Sequence, residues 1–380
     1  MHNKKITFRD KKIKEDLCPK RIIVIVLQRI GDVLLATPIA ESFKKKWPDV
    51  EIDFLVNKGT EDILGKRGER ITNILTFDKS AGVLDHLKLY FKLFRKYDLA
   101  VSTQAGDRSL FLAWISGKKR VSSVPGKKKL LEWKKLICSG WVEDNNSNRH
   151  VVESNLMLVD AIAVEPVSKL SIPYFNVNYS VDEFITNIGN FVVIHPCARY
   201  IYKNWNKDSW VKLIEKIIAE GFYILISGGP DEKEVNYCRE IKECFVALDS
   251  QVISIAGRFN FSELAYLLSK SCFYIGVDTS VTHMAAAIGV PVFCLYGPTN
   301  PVKWGPWPKG YDGTSSPFVT YDDTCQNVNN VLLIQGSKEF GCIPCQEEGC
   351  YKNLNSKSLC LESINFDKVF GLIKMKMKKI

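Results

Sequence analysis

One stretch of the sequence combines residue types that suit phosphate binding. It runs from Gly276 through Asp278, Thr279 and Ser280, and an alanine-rich helical segment with His283 in its first turns follows. Hydroxyl groups, the unpaired N–H groups at a helix start and the positive end of the helix dipole together favour an anion. An ordinary capped helix in an α/β domain has the same residues, so this stretch alone leaves both interpretations open.

Three further turns place polar side chains after apolar, β-branched runs that read as strands. Asp32, His195 and Asp231 each lie within a few residues of the end of such a run. Ligands of open parallel sheets bind at the carboxyl ends of the strands, so these turns are candidate binding loops. Asp32 suits a general base or a helix cap, and Asp231 a ligand contact or a plain loop. The G-x-G-x-x-G spacing is absent, which argues against a nicotinamide cofactor.

The elements that must position these residues alternate between strands and helices in both halves of the chain. Leu35, Ile39 and Phe43 recur every four positions after the first strand, and the pattern restarts near residue 191. This alternation predicts an α/β protein with two doubly wound, Rossmann-like domains facing a cleft. The predicted divisions are 1–180, 181–365 and a C-terminal helix or tail at 366–380, with a polar linker at 176–190.

Composition narrows the class of protein. The chain has 380 residues, 46% hydrophobic and 25% charged, and a net charge of +10. Lysine clusters of this kind attract nucleic acid, anionic lipid or phosphorylated substrates, but no nucleic-acid-binding motif accompanies them. Apolar runs are too short for a membrane span, and the N-terminus lacks a signal-peptide pattern, so the expected location is the cytoplasm.

Four of the twelve cysteines cluster in a loop predicted at 340–361. They are Cys342, Cys345, Cys350 and Cys360. Thiolates at this spacing suit a four-coordinate zinc or iron site, while disulfides and free thiols are the alternatives. No histidine or carboxylate pattern leaves an open coordination position, so a metal ion there is expected to be structural.

Taken in order, the turn motifs resemble those of glycosyltransferase family 9, the ADP-heptose:lipopolysaccharide heptosyltransferase family. The matching residues are Arg29-Ile30-Gly31-Asp32, Tyr97-Asp98, His195-Pro196, Lys203-Asn204-Trp205, Gly228-Gly229-Pro230-Asp231, Gly276-Val277-Asp278-Thr279 with His283, and Tyr296-Gly297-Pro298-Thr299. The resemblance covers roughly residues 21 to 365. It implies a GT-B fold, an inverting transfer of heptose from ADP-heptose to a lipopolysaccharide-core hydroxyl, and catalysis without a metal ion.

The resemblance also implies roles for single residues. Asp32 looks like the general base, and Lys203 like the cation that neutralises the leaving diphosphate. The N-terminal domain is implied to bind the acceptor, with Arg29 and Arg120 as contacts. The implied donor contacts are His195, Asp231, Asp278, Thr279, Ser280 and His283.

Departures from the family pattern leave the substrates open. Cys197 follows His-Pro where glycine is common, and the loop 199–202 is unusually aromatic. Another nucleotide sugar, a protein acceptor or a non-catalytic nucleotide-sugar-binding role are therefore the alternatives. Basic and aromatic residues at 114–120 and 127–141 are expected to meet the acceptor or, through an interfacial helix at 130–137, the inner face of the membrane, with an ordinary solvated helix face as the alternative.

Overall fold

The computed structural model divides the protein into two compact units, Met1–Tyr174 and Phe175–Ile380. It describes residues 6–8, 17–65, 70–125, 133–144, 148–173, 179–313, 315–322 and 325–377. Both units are α/β with mainly parallel sheets, so the predicted fold class is confirmed. The predicted linker at 176–190 is wrong over part of its length, because Tyr179–Thr186 forms a helix.

Unit 1 contains seven strands within its described residues. They are β1 (Ile6–Phe8), β2 (Arg21–Val26), β3 (Glu51–Asn57), β4 (Asn73–Phe77), β5 (Tyr97–Ser102), β6 (Gly117–Pro125) and β7 (Gly140–Asp144). The sheet order is β1-β7-β6-β5-β2-β3-β4, and β1 is antiparallel to β7 while the other neighbours are parallel. The order reverses between β2 and β5, and such a switch point is where α/β sheets bind ligands.

Helices cover the faces of the first sheet. They are α1 (Ile30–Leu35), α2 (Pro38–Lys46), α3 (Val83–Leu93), α4 (Asp107–Ser116), α5 (Trp133–Ile137) and α6 (Val151–Asp160). After its first residue, β2 is buried throughout, as expected for a β-branched strand between two helical layers. The connections from β4 to β5 and from β5 to β6 run in one direction across the sheet, so right-handed crossovers put α3 and α4 on the same face.

Unit 2 repeats the architecture. Its strands are β8 (Phe191–His195), β9 (Tyr223–Ile226), β10 (Val252–Ser254), β11 (Phe273–Val277), β12 (Val292–Tyr296), β13 (Gln326–Val328) and β14 (Val331–Gln335). The order of these described strands is β10-β9-β8-β11-β12-β14-β13, parallel except for the pair β13 and β14. Here the switch point lies between β8 and β11.

The helices of unit 2 pack on its sheet and complete the hydrophobic core. They are α7 (Tyr179–Thr186), α8 (Lys207–Ala219), α9 (Glu232–Lys242), α10 (Phe261–Lys270), α11 (Ser280–Ile288), α12 (Pro301–Trp304), α13 (Leu359–Glu362) and α14 (Phe366–Met377). The predicted C-terminal helix is α14, which buries Val369 and Ile373 in the same core as Trp205 and Trp210. None of the described helices is both long and apolar enough to cross a membrane.

Candidate active site

The two predicted donor loops of unit 2 start side by side. His195 ends β8 and Asp278 directly follows β11, and His195 pairs in register with Gly276 of β11. Both side chains are more than nine-tenths buried. The strand pairing therefore brings these predicted residues to one edge of the sheet, at its switch point.

Lys203 reaches the same edge from a short 3₁₀ turn, Ile201–Lys203, in the loop after β8. Its ammonium Nζ lies 2.5 Å from Oδ2 of Asp278, and the lysine side chain is only 19% exposed. A partly buried charge-assisted hydrogen bond of this kind fixes a long, flexible side chain. Lys203 is thus a cation fixed in position by an ion pair and is not a solvated surface lysine.

Asp278 is the centre of a hydrogen-bond network. Thr299 Oγ1 donates to Oδ2 at 2.7 Å, and the Tyr296 hydroxyl donates to Oδ1 at 3.4 Å. Burial by itself would raise the pKa of Asp278, but the charge of Lys203 and the donated hydrogen bonds outweigh it and hold the pKa below its ordinary value. The carboxylate stays charged at neutral pH and compensates Lys203.

Two buried histidines flank this network and are neutral at pH 7. Burial lowers the pKa of His283 to about 4, even though the nearby Asp278 carboxylate acts in the opposite direction. Burial likewise lowers the pKa of His195 to about 4, and its Nδ1 lies 2.9 Å from Ser227 Oγ. His283 Nδ1 has no hydrogen-bond partner among the described residues, so the ring has a polar atom to offer a ligand.

The start of α11 has the predicted form of an anion site. Thr279 is the N-cap, with Oγ1 accepting the N–H of Thr282 at 3.4 Å, and Ser280 is the first helical residue. Thr279 and Ser280 are both partly exposed. Asp278 does not cap this helix, because its carboxylate is turned towards Lys203. Gly289, in the left-handed conformation with φ +98°, ends the helix.

Asp231 lies in a separate, exposed loop after β9. It caps α9 by accepting the N–H of Lys233 at 3.0 Å, which satisfies a local structural role and leaves its exposed carboxylate accessible. The sequence analysis missed Glu234, whose Oε2 accepts the N–H of Gly229 at 2.7 Å and fixes the glycine turn. Its place in the first turn of a helix that Asp231 caps was a sequence signal that could have identified it.

In unit 1, Asp32 is in the first turn of α1, after β2. It is 8% exposed, and its Oδ2 accepts the backbone N–H of Arg29 at 3.1 Å. The helix-capping alternative is therefore present in the structure. A carboxylate can accept several hydrogen bonds at once, so this contact does not by itself exclude a role as a base. Arg29, the N-cap residue, is exposed beside it.

A cavity of about 380 Å³ lies at the switch point of the first sheet. Its walls come from the loops after β2 and β5 and from the end of β6: Gln28, Thr103, Gln104, Ala105, Gly106, Ser123 and Pro125. Gln104 Nε2 is buried and has no hydrogen-bond partner within the described residues. None of these residues was predicted from the sequence, because their polar side chains form no motif and only the strand order brings them together.

Arg120 is not part of this edge. It is the fourth residue of the nine-residue strand β6, opposite Ala100 of β5, and therefore lies within the sheet. Its guanidinium is partly buried, and burial together with the charge of Arg95 lowers its pKa. The acceptor contact expected of Arg120 stays a prediction.

The cysteine loop packs against the segment that carries Lys203. Ser358 Oγ donates a buried hydrogen bond of 2.7 Å to the carbonyl of Tyr202, and the N–H of Gln346 donates to Pro298 O at 2.8 Å. Cys360 Sγ lies against Gly297, on the loop that follows β12. The loop therefore touches both sides of the Lys203–Asp278 pair.

The four cysteines are neighbours, but they are not arranged as a metal centre. Burial, with the charges of Cys345, Cys350 and Cys342, raises the pKa of Cys360 to about 12. Cys350 Sγ accepts the N–H of Leu359 at 3.3 Å. Across the described parts of the chain, no three His, Cys, Asp or Glu side chains converge closely enough to hold a metal ion. The predicted zinc or iron site stays a prediction.

A comparison with protein families shows which family the chain belongs to. The profile described as glycosyltransferase family 9 (heptosyltransferase) matches residues 87–329, which is more than half of the chain. The chain belongs to glycosyltransferase family 9. As a member of family 9 it is a glycosyltransferase, and the suspected resemblance is confirmed.

Individual relatives extend over both units. Lipopolysaccharide heptosyltransferase 3 of Escherichia coli is 29% identical over 73% of this chain and 83% of its own length. Lipopolysaccharide core heptosyltransferase OpsX of Haemophilus influenzae is 26% identical over 94% of this chain and 96% of its own length.

The fold is that of solved family 9 enzymes. The structure of ADP-heptose LPS heptosyltransferase II of Escherichia coli superposes with a TM-score of 0.71 at 16% identity, covering 94% of this chain and 99% of that chain. The predicted GT-B class of two Rossmann-like domains is confirmed.

Proposed function

We propose that this family 9 enzyme transfers heptose from ADP-heptose, with inversion, to a hydroxyl group of the lipopolysaccharide core. The relatives named above are lipopolysaccharide heptosyltransferases, and one is named for ADP-heptose. The observation that carries the proposal is the Lys203–Asp278 ion pair at the start of α11. It fixes a positive charge beside a helix N-terminus, which is suited to binding phosphate.

The donor diphosphate is proposed to bind at the N-terminus of α11. Thr279, Ser280 and the free backbone N–H groups of the first turn supply its hydrogen bonds. Lys203 then faces the charge that grows on the diphosphate as the sugar leaves, and Asp278 keeps the ammonium in position. Neutral His283 adds a hydrogen-bonding nitrogen without adding charge to the pocket.

The transfer itself is proposed as a single displacement. The bond between the anomeric carbon and the diphosphate breaks, a bond from the acceptor oxygen forms on the opposite face, and the acceptor proton passes to Asp32. ADP needs no strong acid to leave. The polar cavity of unit 1 and Arg29 are the proposed acceptor contacts, and the reaction is proposed to take place in the cytoplasm.

For the cysteine loop we propose a structural role. The support is its packing on the Tyr202 carbonyl and on the loop after β12, on either side of the donor pocket. A zinc or iron ion would require the four thiolates to converge more closely than they do here, so the proposed support rests on packing, and no step of the transfer is assigned to a metal ion.

A transfer assay tests the proposal. The purified enzyme, ADP-heptose and a heptose-deficient core acceptor should yield ADP and a product heavier by one heptose, detected by mass spectrometry. Lys203→Met should lower kcat by about a hundredfold or more, because it removes the charge opposite the leaving group. Lys207→Met, at an exposed lysine four residues further on, should leave kcat unchanged.

The donor can be checked independently of the acceptor. A ligand that binds only the folded state raises the melting temperature, so ADP-heptose should raise it more than GDP- or UDP-sugars at equal concentration. Transfer from a GDP- or UDP-sugar but not from ADP-heptose would overturn the proposed donor. Modification of a protein but not of the core glycan would overturn the proposed acceptor.

A further inference from the structure

Helix α3 has two apolar stripes, and only one of them faces the core. Leu89, Tyr90 and Leu93 pack against the first sheet. The second stripe points outward and consists of Leu84, Leu87, Phe91 and, directly after the helix, Phe94. Leu84 is 72% exposed and Phe91 80% exposed. A surface helix of a soluble domain normally has polar residues on the side away from its core, so the outer stripe lacks a structural explanation within this unit.

The outward apolar surface continues onto α4. The Tyr90 ring meets Phe111 edge-on with centroids 5.4 Å apart, and Phe111 stacks on Trp114 at 6.3 Å. Phe111 and Trp114 are 42% and 45% exposed, and the two helices lie on the same face of the sheet. We call this surface the α3–α4 face; it comprises Leu84, Leu87, Phe91, Phe94, Phe111 and Trp114.

Basic side chains border the α3–α4 face. The segment from Lys79 to Lys96 contains five lysine or arginine residues and one aspartate, for a net charge of +4. On α3, Lys88 and Lys92 fall in an exposed stripe beside the apolar one, and Arg95 is exposed in the turn after the helix. Lys119 is exposed just after α4. A flat apolar strip next to a row of cations is complementary to an anionic lipid surface.

We propose that the α3–α4 face docks the enzyme on a membrane containing anionic lipid. Leu84, Phe91 and Trp114 enter the boundary between head groups and acyl chains, and Lys92 and Arg95 meet the phosphates. Tryptophan and phenylalanine are favoured at that depth. The inference goes beyond sugar transfer, since it concerns a surface that needs neither donor nor acceptor to bind.

Charge favours a lipid surface over a second copy of the chain. A symmetric dimer through the α3–α4 face would bring two sets of the same basic side chains together, and like charges held that close repel. An anionic bilayer instead satisfies the apolar and the basic stripe together. The helix predicted from sequence for this role, at 130–137, is a poorer candidate within its described part. There Lys134 is buried against Ala105 O and Asp107, and Lys135 pairs with Glu143.

Flotation with lipid vesicles tests the proposal on the full-length protein. Wild type should bind vesicles of phosphatidylglycerol and phosphatidylethanolamine, and bind phosphatidylcholine vesicles at least about tenfold more weakly. Leu84→Ser with Phe91→Ser should weaken binding by about tenfold or more, because two exposed apolar anchors are lost. Val246→Ser with Val319→Ser removes exposed apolar groups from unit 2, outside the cysteine loop, and should bind as wild type does.

A second pair of variants tests the charge. Lys92→Glu with Arg95→Glu should abolish most of the preference for anionic vesicles, whereas Lys233→Glu with Lys270→Glu should preserve it. All variants should keep wild-type kcat on a soluble acceptor, which separates docking from transfer. The proposal is overturned if wild type ignores anionic vesicles, or if both α3–α4 variants bind like their controls. It is also overturned if Leu84→Ser with Phe91→Ser merely converts a dimer in solution to a monomer.

Discussion

At the scale of single residues, the donor site depends on a charge pair that no local pattern predicts. Lys203 and Asp278 are 75 positions apart and meet because β8 and β11 are neighbours in the sheet. The family resemblance indicated both residues, and Thr279 and Ser280 predicted a helix N-terminus with hydroxyl groups. Their pairing, and the part played by Tyr296 and Thr299, required the fold.

The buried histidines make stability depend on pH. The unfolded chain binds a proton at each histidine near pH 6.5, whereas the folded protein resists protonation of His283 and His195 until about pH 4. The unfolded state therefore binds more protons between those values, and the free energy of unfolding falls as the pH is lowered across this window. Each histidine contributes up to about 3 kcal/mol of that loss.

Urea unfolding at several pH values between 7.5 and 4 measures this effect. His283→Gln should lose less stability over the window than wild type, since one of the two groups no longer titrates. An identical pH dependence in wild type and variant would show that His283 is accessible to protons in the folded state.

At the scale of elements, the strands and the caps follow from the sequence better than the loops do. The alternating pattern predicted both sheets, and Thr279 is the N-cap of α11. Helix α7 was missed although Val181, Phe184 and Ile185 recur in it at helical spacing, because its polar flanks indicated a linker. Its remaining support is non-local: Arg258 stacks on Phe184, and the Tyr266 hydroxyl bonds Asp182.

The contact between the cysteine loop and the Lys203 segment gives a prediction at this scale. Ser358→Ala removes the buried hydrogen bond to Tyr202 O, which should cost about 1–3 kcal/mol of stability and lower kcat by displacing Lys203. Ser271→Ala removes a comparable hydrogen bond, to Leu268 O, at the end of α10. Denaturation and steady-state kinetics compare the two, and equal kcat values in both variants would contradict the proposed support of Lys203.

At the scale of the whole molecule, the two units have separable tasks in the proposed reaction. Unit 2 contains Lys203 and the N-terminus of α11, which are proposed to bind the donor. Unit 1 contains Asp32 and the polar cavity. The division of labour predicts that changes in unit 1 affect turnover without affecting donor affinity. The cavity itself could not be predicted from the sequence, because Gln28 and Gln104 come from two separate loops and Ser123 from strand β6.

The kinetics of Asp32→Asn test the central claim most directly. Asparagine keeps an oxygen that can accept the Arg29 N–H, so helix α1 should stay capped while the base is lost. Asp85→Asn makes the same change in the first turn of α3 and serves as the control. For Asp32→Asn we expect kcat to fall by about a hundredfold or more with ADP-heptose affinity nearly unchanged. A kcat equal to that of Asp85→Asn would contradict the account.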